Sequence, residues 1–95
     1  MDKIENKDEK TMADALTDAF ADECNGISEY IEMSKMAQEQ YPNKAYAQIF
    51  RDIAREEHTH KNHIKDIMLD AGIEMTDRMK EADSEAEEVF KSYFC

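Results

Sequence analysis

The only proline of this sequence, Pro42, separates two long stretches that carry apolar side chains every three or four residues. Proline disfavours helix at the residue before it, so the stretches are predicted to be two helices, over about 12–40 and 44–70. Thr11 is the expected N-cap of the first helix, and Gly72 is expected to end the second with a positive φ. No segment alternates apolar and polar residues with the period of two that strands show. The predicted fold class is therefore all-α.

A shorter third helix is predicted over about 77–93, with Thr76 as its N-cap. Its apolar residues recur at steps of three and four: Met79, Ala82, Ala86, Val89, Phe90 and Tyr93. Residues 1–10 are rich in charge and are expected to form a solvated tail before one helical domain over 11–95. Two long antiparallel helices and one short helix make a thin core, so we expect two copies to form a four-helix bundle.

The charge balance limits the classes of partner. Lys and Arg number 12 against 23 Asp and Glu, a net charge of −11, which argues against nucleic acid because its binding needs basic residues. No stretch approaches the roughly 18 apolar residues of a membrane-spanning helix. The two cysteines, Cys24 and Cys95, form no CxxC pair, so a disulfide scaffold is not expected and the cytoplasm is the expected compartment.

Three ionisable residues occupy positions where the helical period calls for apolar ones. Glu23 lies seven residues from both Leu16 and Tyr30, and Glu57 and His60 follow at the same spacing after two apolar residues of the second helix. The predicted apolar sides are Leu16, Phe20, Ile27, Tyr30, Ser34 and Ala37 in the first helix, and Tyr46, Ile49, Phe50, Ile53, Ile64, Ile67 and Ala71 in the second. Burial of a carboxylate costs free energy unless a positive charge compensates it.

A metal pair would supply that compensation. In an antiparallel helix pair with its hinge near Pro42, Glu23 lies within about 6 Å in depth of Glu57 and His60. A two-fold axis doubles the set to four Glu and two His, and di-iron bundles use one Glu from each of two helices and Glu-x-x-His from each of the other two. This arrangement predicts two Fe²⁺ ions shared between subunits, although Mn²⁺, Zn²⁺ and Co²⁺ accept similar ligands.

Around these positions the sequence resembles the ferritin-like superfamily. The segment 20–23 followed by Tyr30 resembles the first ligand helix of rubrerythrins, and the segment 50–60 resembles the second. Over residues 11–93 the chain is similar to encapsulated ferritins, which have two long helices and a short third. Those proteins complete a di-iron centre across a subunit interface, assemble into annular decamers and occupy an encapsulin shell.

The resemblance implies a ferroxidase that converts Fe²⁺ to Fe³⁺ for iron storage or detoxification. It implies that Glu23, Glu57 and His60 are the ligands and that Tyr30 lies beside the iron. It also implies an encapsulin nanocompartment as the location and the shell as a partner. Two alternatives stay open: a rubrerythrin-like peroxide reductase that uses the same ligands, and a metal-free helical dimer or adaptor.

A second cation site is a further candidate. Glu56, His63 and Asp52 could meet at the mouth of the interface, and the alternative is an ordinary solvated helix edge with partners four residues apart. His58 is expected to be exposed because it lies on a different side of the helix from His60.

Methionine and cysteine residues receive structural interpretations. Met33 and Met36 are three residues apart but begin no longer series, so packing against the third helix is favoured over Cu(I) binding. Cys24 is expected on a flank of the first helix as a small apolar residue, with a reactive thiol as the alternative.

Overall fold

The structure, a computed structural model, describes residues 11–95, which form three helices. Helix α1 comprises Met12–Gln40, α2 comprises Lys44–Ala71 and α3 comprises Asp77–Phe94. The long helices α1 and α2 are antiparallel and α3 packs on them, giving an elongated shape of 60 × 25 × 18 Å. The predicted all-α class and the plan of two long helices and one short helix are confirmed. The predicted tail, residues 1–10, lies outside the described residues.

Side-chain caps place the ends of the helices as the sequence predicts. Thr11 Oγ1 accepts a hydrogen bond of 3.1 Å from the amide of Asp14, and the Asp14 carboxylate accepts one from the Thr11 amide in return. Asn43 Oδ1 caps α2 by accepting from the amide of Ala45, and Thr76 Oγ1 caps α3 by accepting from the amide of Met79. Gly72 ends α2 with a φ of 73°, a left-handed conformation that glycine adopts without steric cost. None of the described helices has the length and apolar character needed to cross a membrane.

The core lies where α1 meets α2 and α3. Its buried members are Leu16, Phe20, Cys24, Ile27, Ile31, Ala54, Met68, Met79 and Ala86. The predicted apolar side of α1 is correct for most positions, although Tyr30 is half-buried at its edge. The prediction that Cys24 lies on a flank of α1 is wrong, because α3 covers that side of the helix and leaves only 6% of the residue exposed.

Helix α2 presents a different side to the core from the predicted one. Its buried residues are Ala47, Ala54, Lys61 and Met68, each seven residues from the next. Tyr46, Ile49 and Ile67, which belong to the predicted apolar side, are 45%, 53% and 50% exposed in the single chain. The reason is that α2 is apolar on two sides, and the side with small alanines allows α1 to approach closely. We call the side turned away from this core the outer face of α2; it comprises Tyr46, Ile49, Ile53 and Ile67.

A buried hydroxyl joins the three helices near the α1–α2 hinge. Ser34 Oγ donates to the carbonyl of Ala47 at 2.9 Å and lies 2.7 Å from Tyr93 Oη. The Ser34 side chain is completely buried, and these two contacts satisfy its hydroxyl. This contact fixes the end of α3 against the two long helices.

Two of the methionines do not pack as predicted. Met33 and Met36 are 40% and 46% exposed on α1, so the expectation that they pack against α3 is wrong. They border a surface hollow together with Tyr41 and Phe50 on the side that α3 leaves open. Other methionines do fill the core, as Met68 and Met79 show.

A charged cluster is buried between α2 and α3. The side chain of Lys61 is fully buried, and its ammonium donates to Asp83 at 2.5 Å and to Glu87 at 2.7 Å. Lys65 donates to the other oxygen of Asp83 at 2.7 Å. Burial alone would lower the pKa of Lys61, but hydrogen bonds and attraction from the two carboxylates outweigh it and raise the pKa. Two lysines and two carboxylates therefore neutralise one another inside the protein.

His58 belongs to this cluster, which contradicts the prediction that it is exposed. Its Nε2 lies 2.7 Å from Glu87 Oε2, and its ring stacks on Phe90 at a centroid distance of 3.8 Å. The prediction was wrong because the spacing of apolar residues along α2 does not indicate the position of α3.

Replacing Lys61 by methionine is expected to lower the free energy of unfolding by about 3 kcal/mol, because Asp83 and Glu87 lose their shared buried partner. Methionine retains most of the side-chain volume, so a cavity contributes little. The measurement is urea unfolding at pH 7 and one fixed protein concentration. The control is Lys80→Met, at an exposed position of α3, for which little change is expected. Equal stability of the two variants would contradict this interpretation of the cluster.

Candidate metal centre

Two carboxylates and one imidazole converge where α1 and α2 lie side by side. Glu23, Glu57 and His60 each place one ligand atom within 4.8 Å of the others. The antiparallel helix pair brings Glu23 to the depth of Glu57, and the spacing of three residues keeps Glu57 and His60 on the same side of α2. Within residues 11–95, no other group of three or more potential ligands meets this condition. A single chain therefore brings Glu23, Glu57 and His60 together, as the sequence predicts.

The burial of the three side chains is uneven. The Glu23 side chain is 21% exposed and that of His60 is 55% exposed, with His60 Nδ1 at 3.5 Å from Glu23 Oε1. Glu23 Oε1 itself is buried, and while Glu57 is ionised it accepts no hydrogen bond. Such an oxygen is costly to bury unless a cation or donor satisfies it. The group is thus suited to a positive ion that enters from the His60 side.

The environment of Glu57 favours its protonated form. Burial, a hydrogen bond between the two carboxyl groups and repulsion from the Glu23 carboxylate raise the pKa of Glu57 to about 7, while attraction from His60 acts in the opposite direction. Near neutral pH the metal-free site therefore carries less negative charge than two free carboxylates would. A divalent cation reverses this preference because it stabilises the ionised form.

A glycine faces the site from α1. Gly26 lies one turn after Glu23, and a Cβ added to it would overlap Glu57 Oε1 and lie 3.0 Å from Glu57 Cδ. Glycine inside a helix costs about 1 kcal/mol relative to alanine. This residue was not predicted from the sequence, although a glycine within a long helix and close to a candidate ligand was a visible signal.

The donor types decide which ions fit. Two carboxylate oxygens and one imidazole nitrogen suit Fe²⁺, Mn²⁺, Zn²⁺ or Co²⁺.

Cys24 follows Glu23 in sequence but is buried in the core, and burial raises the pKa of its thiol to about 11. A thiol that keeps its proton at neutral pH is neither a ligand nor a nucleophile. Its place in the core therefore favours the interpretation of Cys24 as a small apolar residue.

The predicted second cation site does not assemble in one chain. Asp52 instead accepts a hydrogen bond of 2.8 Å from Gln48 and lies 3.5 Å from Arg55. Glu56 and His63 are exposed, and within residues 11–95 they form no group of three potential ligands with Asp52. Their surroundings are those of a solvated helix edge.

Tyr30 lies on the same side of α1 as Glu23, one heptad later. It is half-buried, and its ring stacks on Phe50 of α2 with 6.3 Å between centroids and 24° between planes. This contact holds the phenol at the seam between α1 and α2. The seam therefore carries an oxidisable ring as well as potential ligands.

In the metal-free protein, the free energy of unfolding is expected to fall as the pH rises from 4.5 to about 7. Over this interval folded Glu57 keeps a proton that the unfolded chain has lost, so stability present at lower pH disappears as the pH passes through the folded pKa. The measurement is thermal unfolding with a chelator across this range, compared with Glu57→Gln. The variant lacks the titrating carboxyl, so equal pH slopes in the two proteins would contradict the assignment.

Comparison with known protein families identifies the family of the chain. The rubrerythrin family model matches residues 14–94, a range that contains Glu23, Glu57 and His60. No curated protein and no solved structure matches the chain. Since the family model covers most of the chain and its three-helix architecture is that of a ferritin-like half-bundle, the chain belongs to the rubrerythrin family of the ferritin-like superfamily.

Proposed function

We propose that this protein binds Fe²⁺ through Glu23, Glu57 and His60 and oxidises it to Fe³⁺. The observation that carries the proposal is the convergence of one ligand atom from each of these three side chains within 4.8 Å, with a buried Glu23 oxygen that accepts no hydrogen bond while Glu57 is ionised. Membership of the rubrerythrin family supports iron among the ions that the ligands accept. Such a ferroxidase would serve iron storage or detoxification.

The negative charge of Glu23 and Glu57 favours the oxidation of bound Fe²⁺. Entry of Fe²⁺ displaces the proton from Glu57, whose pKa is near 7 in the metal-free chain. Two carboxylates then face the ion, and they stabilise the charge of Fe³⁺ more than that of Fe²⁺. Each Fe²⁺ gives up one electron, so two ions convert one H₂O₂ and two protons into two waters, or reduce one O₂ with two protons to H₂O₂.

A second copy of the chain would complete the site. Ferritin-like di-iron centres use four Glu and two His, twice the set that one chain supplies. A two-fold axis beside Glu57 and His60 would bring the two sets together and let two ions share them. We therefore propose a dimer in which the di-iron site lies between subunits.

The outer face of α2 is the surface on which that second copy would pack. Ile49 and Ile67 are about half exposed there, and Glu57 and His60 lie on the same side of the helix. An apolar surface of this kind favours association. A chain that covers this face also covers the ligands, so dimer formation and completion of the site are one event. Assembly into an annular decamer and enclosure by an encapsulin shell are proposed on the resemblance to encapsulated ferritins.

Tyr30 would lie beside the bound iron. It shares a side of α1 with Glu23, and its ring is held by the stack on Phe50. We propose that its phenol hydrogen-bonds to a ligand carboxylate or supplies an electron during oxidation.

A rubrerythrin-like peroxide reductase is the second candidate, favoured by the family match itself. A ferroxidase consumes Fe²⁺ in proportion to the oxidant, whereas a reductase turns over repeatedly with an electron donor.

A metal-free helical adaptor is the third candidate. It predicts that an apolar residue in place of Glu57 stabilises the protein, since removal of a costly buried polar group often does so.

Replacement of Glu57 by alanine is expected to abolish iron binding. Anaerobic Fe²⁺ loading followed by desalting should leave about one iron per chain in the wild type, as a di-iron site shared by two subunits requires. The matched control is Glu56→Ala, which removes an exposed carboxylate one position away and should retain the iron. Iron content that does not depend on Glu57 would reject the ligand assignment.

Replacement of Ile49 by aspartate is expected to raise the dimer dissociation constant at least tenfold, because a charged carboxylate would be buried in an apolar interface. Sedimentation equilibrium measures the constant, and iron content should fall with the dimer fraction. The control is Leu69→Asp, since Leu69 is 82% exposed and lies on the opposite side of α2. A wild-type monomer with full iron content would contradict the shared site.

A further inference from the structure

We infer that Gly26 is a positioning residue of the metal site: the absence of a side chain there lets the Glu57 carboxylate lie against α1, close to Glu23. The inference rests on the proposed metal site, although not on the reaction that follows binding. It adds to the site a residue that supplies no ligand atom.

The space beside Gly26 is filled by one side chain. The atoms nearest to a Cβ built on Gly26 are Oε1, Cδ and Cγ of Glu57, with Cδ at 3.0 Å and Cγ at 3.4 Å. Oε1 is closer than any real Cβ contact allows, so the carboxylate occupies the position that any other residue would fill. Gly26 is itself buried, which means that solvent does not separate the two helices here.

The usual reasons for a glycine do not apply at this position. Gly26 lies within α1, and Gly72 is the glycine of the described chain that has a positive φ. Close contact between helix backbones is not the reason either, because the three nearest atoms all belong to the Glu57 side chain. The feature of the structure that requires glycine at position 26 is therefore the carboxylate of Glu57.

A methyl group at position 26 would move that carboxylate in a known direction. It would push Glu57 away from α1, the helix that also carries Glu23, so the two potential ligands would separate. The end of a glutamate side chain rotates easily, and the chain should therefore still fold. A binding site needs its ligands held within about 0.5 Å of the productive geometry, so the displacement should weaken metal binding.

The experiment titrates Co²⁺ into the full chain and follows the visible absorption of the bound ion. Gly26→Ala is expected to weaken Co²⁺ binding by about 10–100-fold, the usual effect of disturbing the groups that orient metal ligands. Its absorption spectrum should also change, since the ligand geometry changes. The control is Asn25→Ala, which also raises helix propensity, though by less, at an exposed neighbouring position and should bind as the wild type does.

A second pair of variants tests the contact with Glu57 itself. Aspartate is one methylene shorter, so in a Glu57→Asp background the methyl at position 26 has room. Gly26→Ala should then weaken binding less than threefold, a non-additivity that indicates direct contact. Thermal unfolding of the metal-free Gly26→Ala protein should occur at or above the wild-type temperature, because alanine favours the helix.

The outcomes separate this inference from the proposed function. Wild-type binding that depends on Glu57, together with unchanged binding by Gly26→Ala, overturns the role of Gly26 alone. A marked loss of metal-free stability in Gly26→Ala also overturns it, because the methyl would then meet something less mobile than a carboxylate. Binding by the wild type that is independent of Glu57 overturns both the inference and the proposed site.

Discussion

The repulsion between Glu23 and Glu57 is the constraint on which the rest of this structure depends. The antiparallel pairing of α1 and α2 holds ligand atoms of both carboxylates, together with one of His60, within 4.8 Å of one another. In a partly buried seam this arrangement is unfavourable unless a proton or a cation is present, and the raised pKa of Glu57 expresses that cost. A helix pair that bound no ion would be more stable with apolar residues here.

The charged cluster between α2 and α3 and the candidate metal centre differ in how their charge is balanced. Lys61 and Lys65 offset Asp83 and Glu87, so that cluster needs nothing from outside and holds α3 in place. The metal centre has two carboxylates and one imidazole, and no lysine or arginine is in ion-pair contact with Glu23 or Glu57 in the described chain. The first group is therefore structural, whereas the second leaves a negative site that a divalent ion can neutralise.

Much of this could be predicted from the sequence because the relevant signals are local. Thr11, Pro42 and Gly72 act through their own backbone and caps, so the helix ends followed directly. Glu23 and Glu57 were found because the hinge position sets the depth at which antiparallel helices meet. The side of α2 that faces the core could not be predicted. Helix α2 is apolar on two sides, and the spacing of its apolar residues does not indicate which side packs against α1 and α3. The burial of Lys61 and the contact of His58 with α3 were missed for the same reason. Gly26 was missed because its role depends on a side chain 31 residues further along.

The most direct test of the central claim is anomalous diffraction at the iron edge from crystals loaded with Fe²⁺ under anaerobic conditions. A shared di-iron site predicts two peaks about 3.5–4 Å apart, with Glu23, Glu57 and His60 from each of two chains within bonding distance. Iron peaks elsewhere on the protein, or none within bonding distance of Glu57, would contradict it.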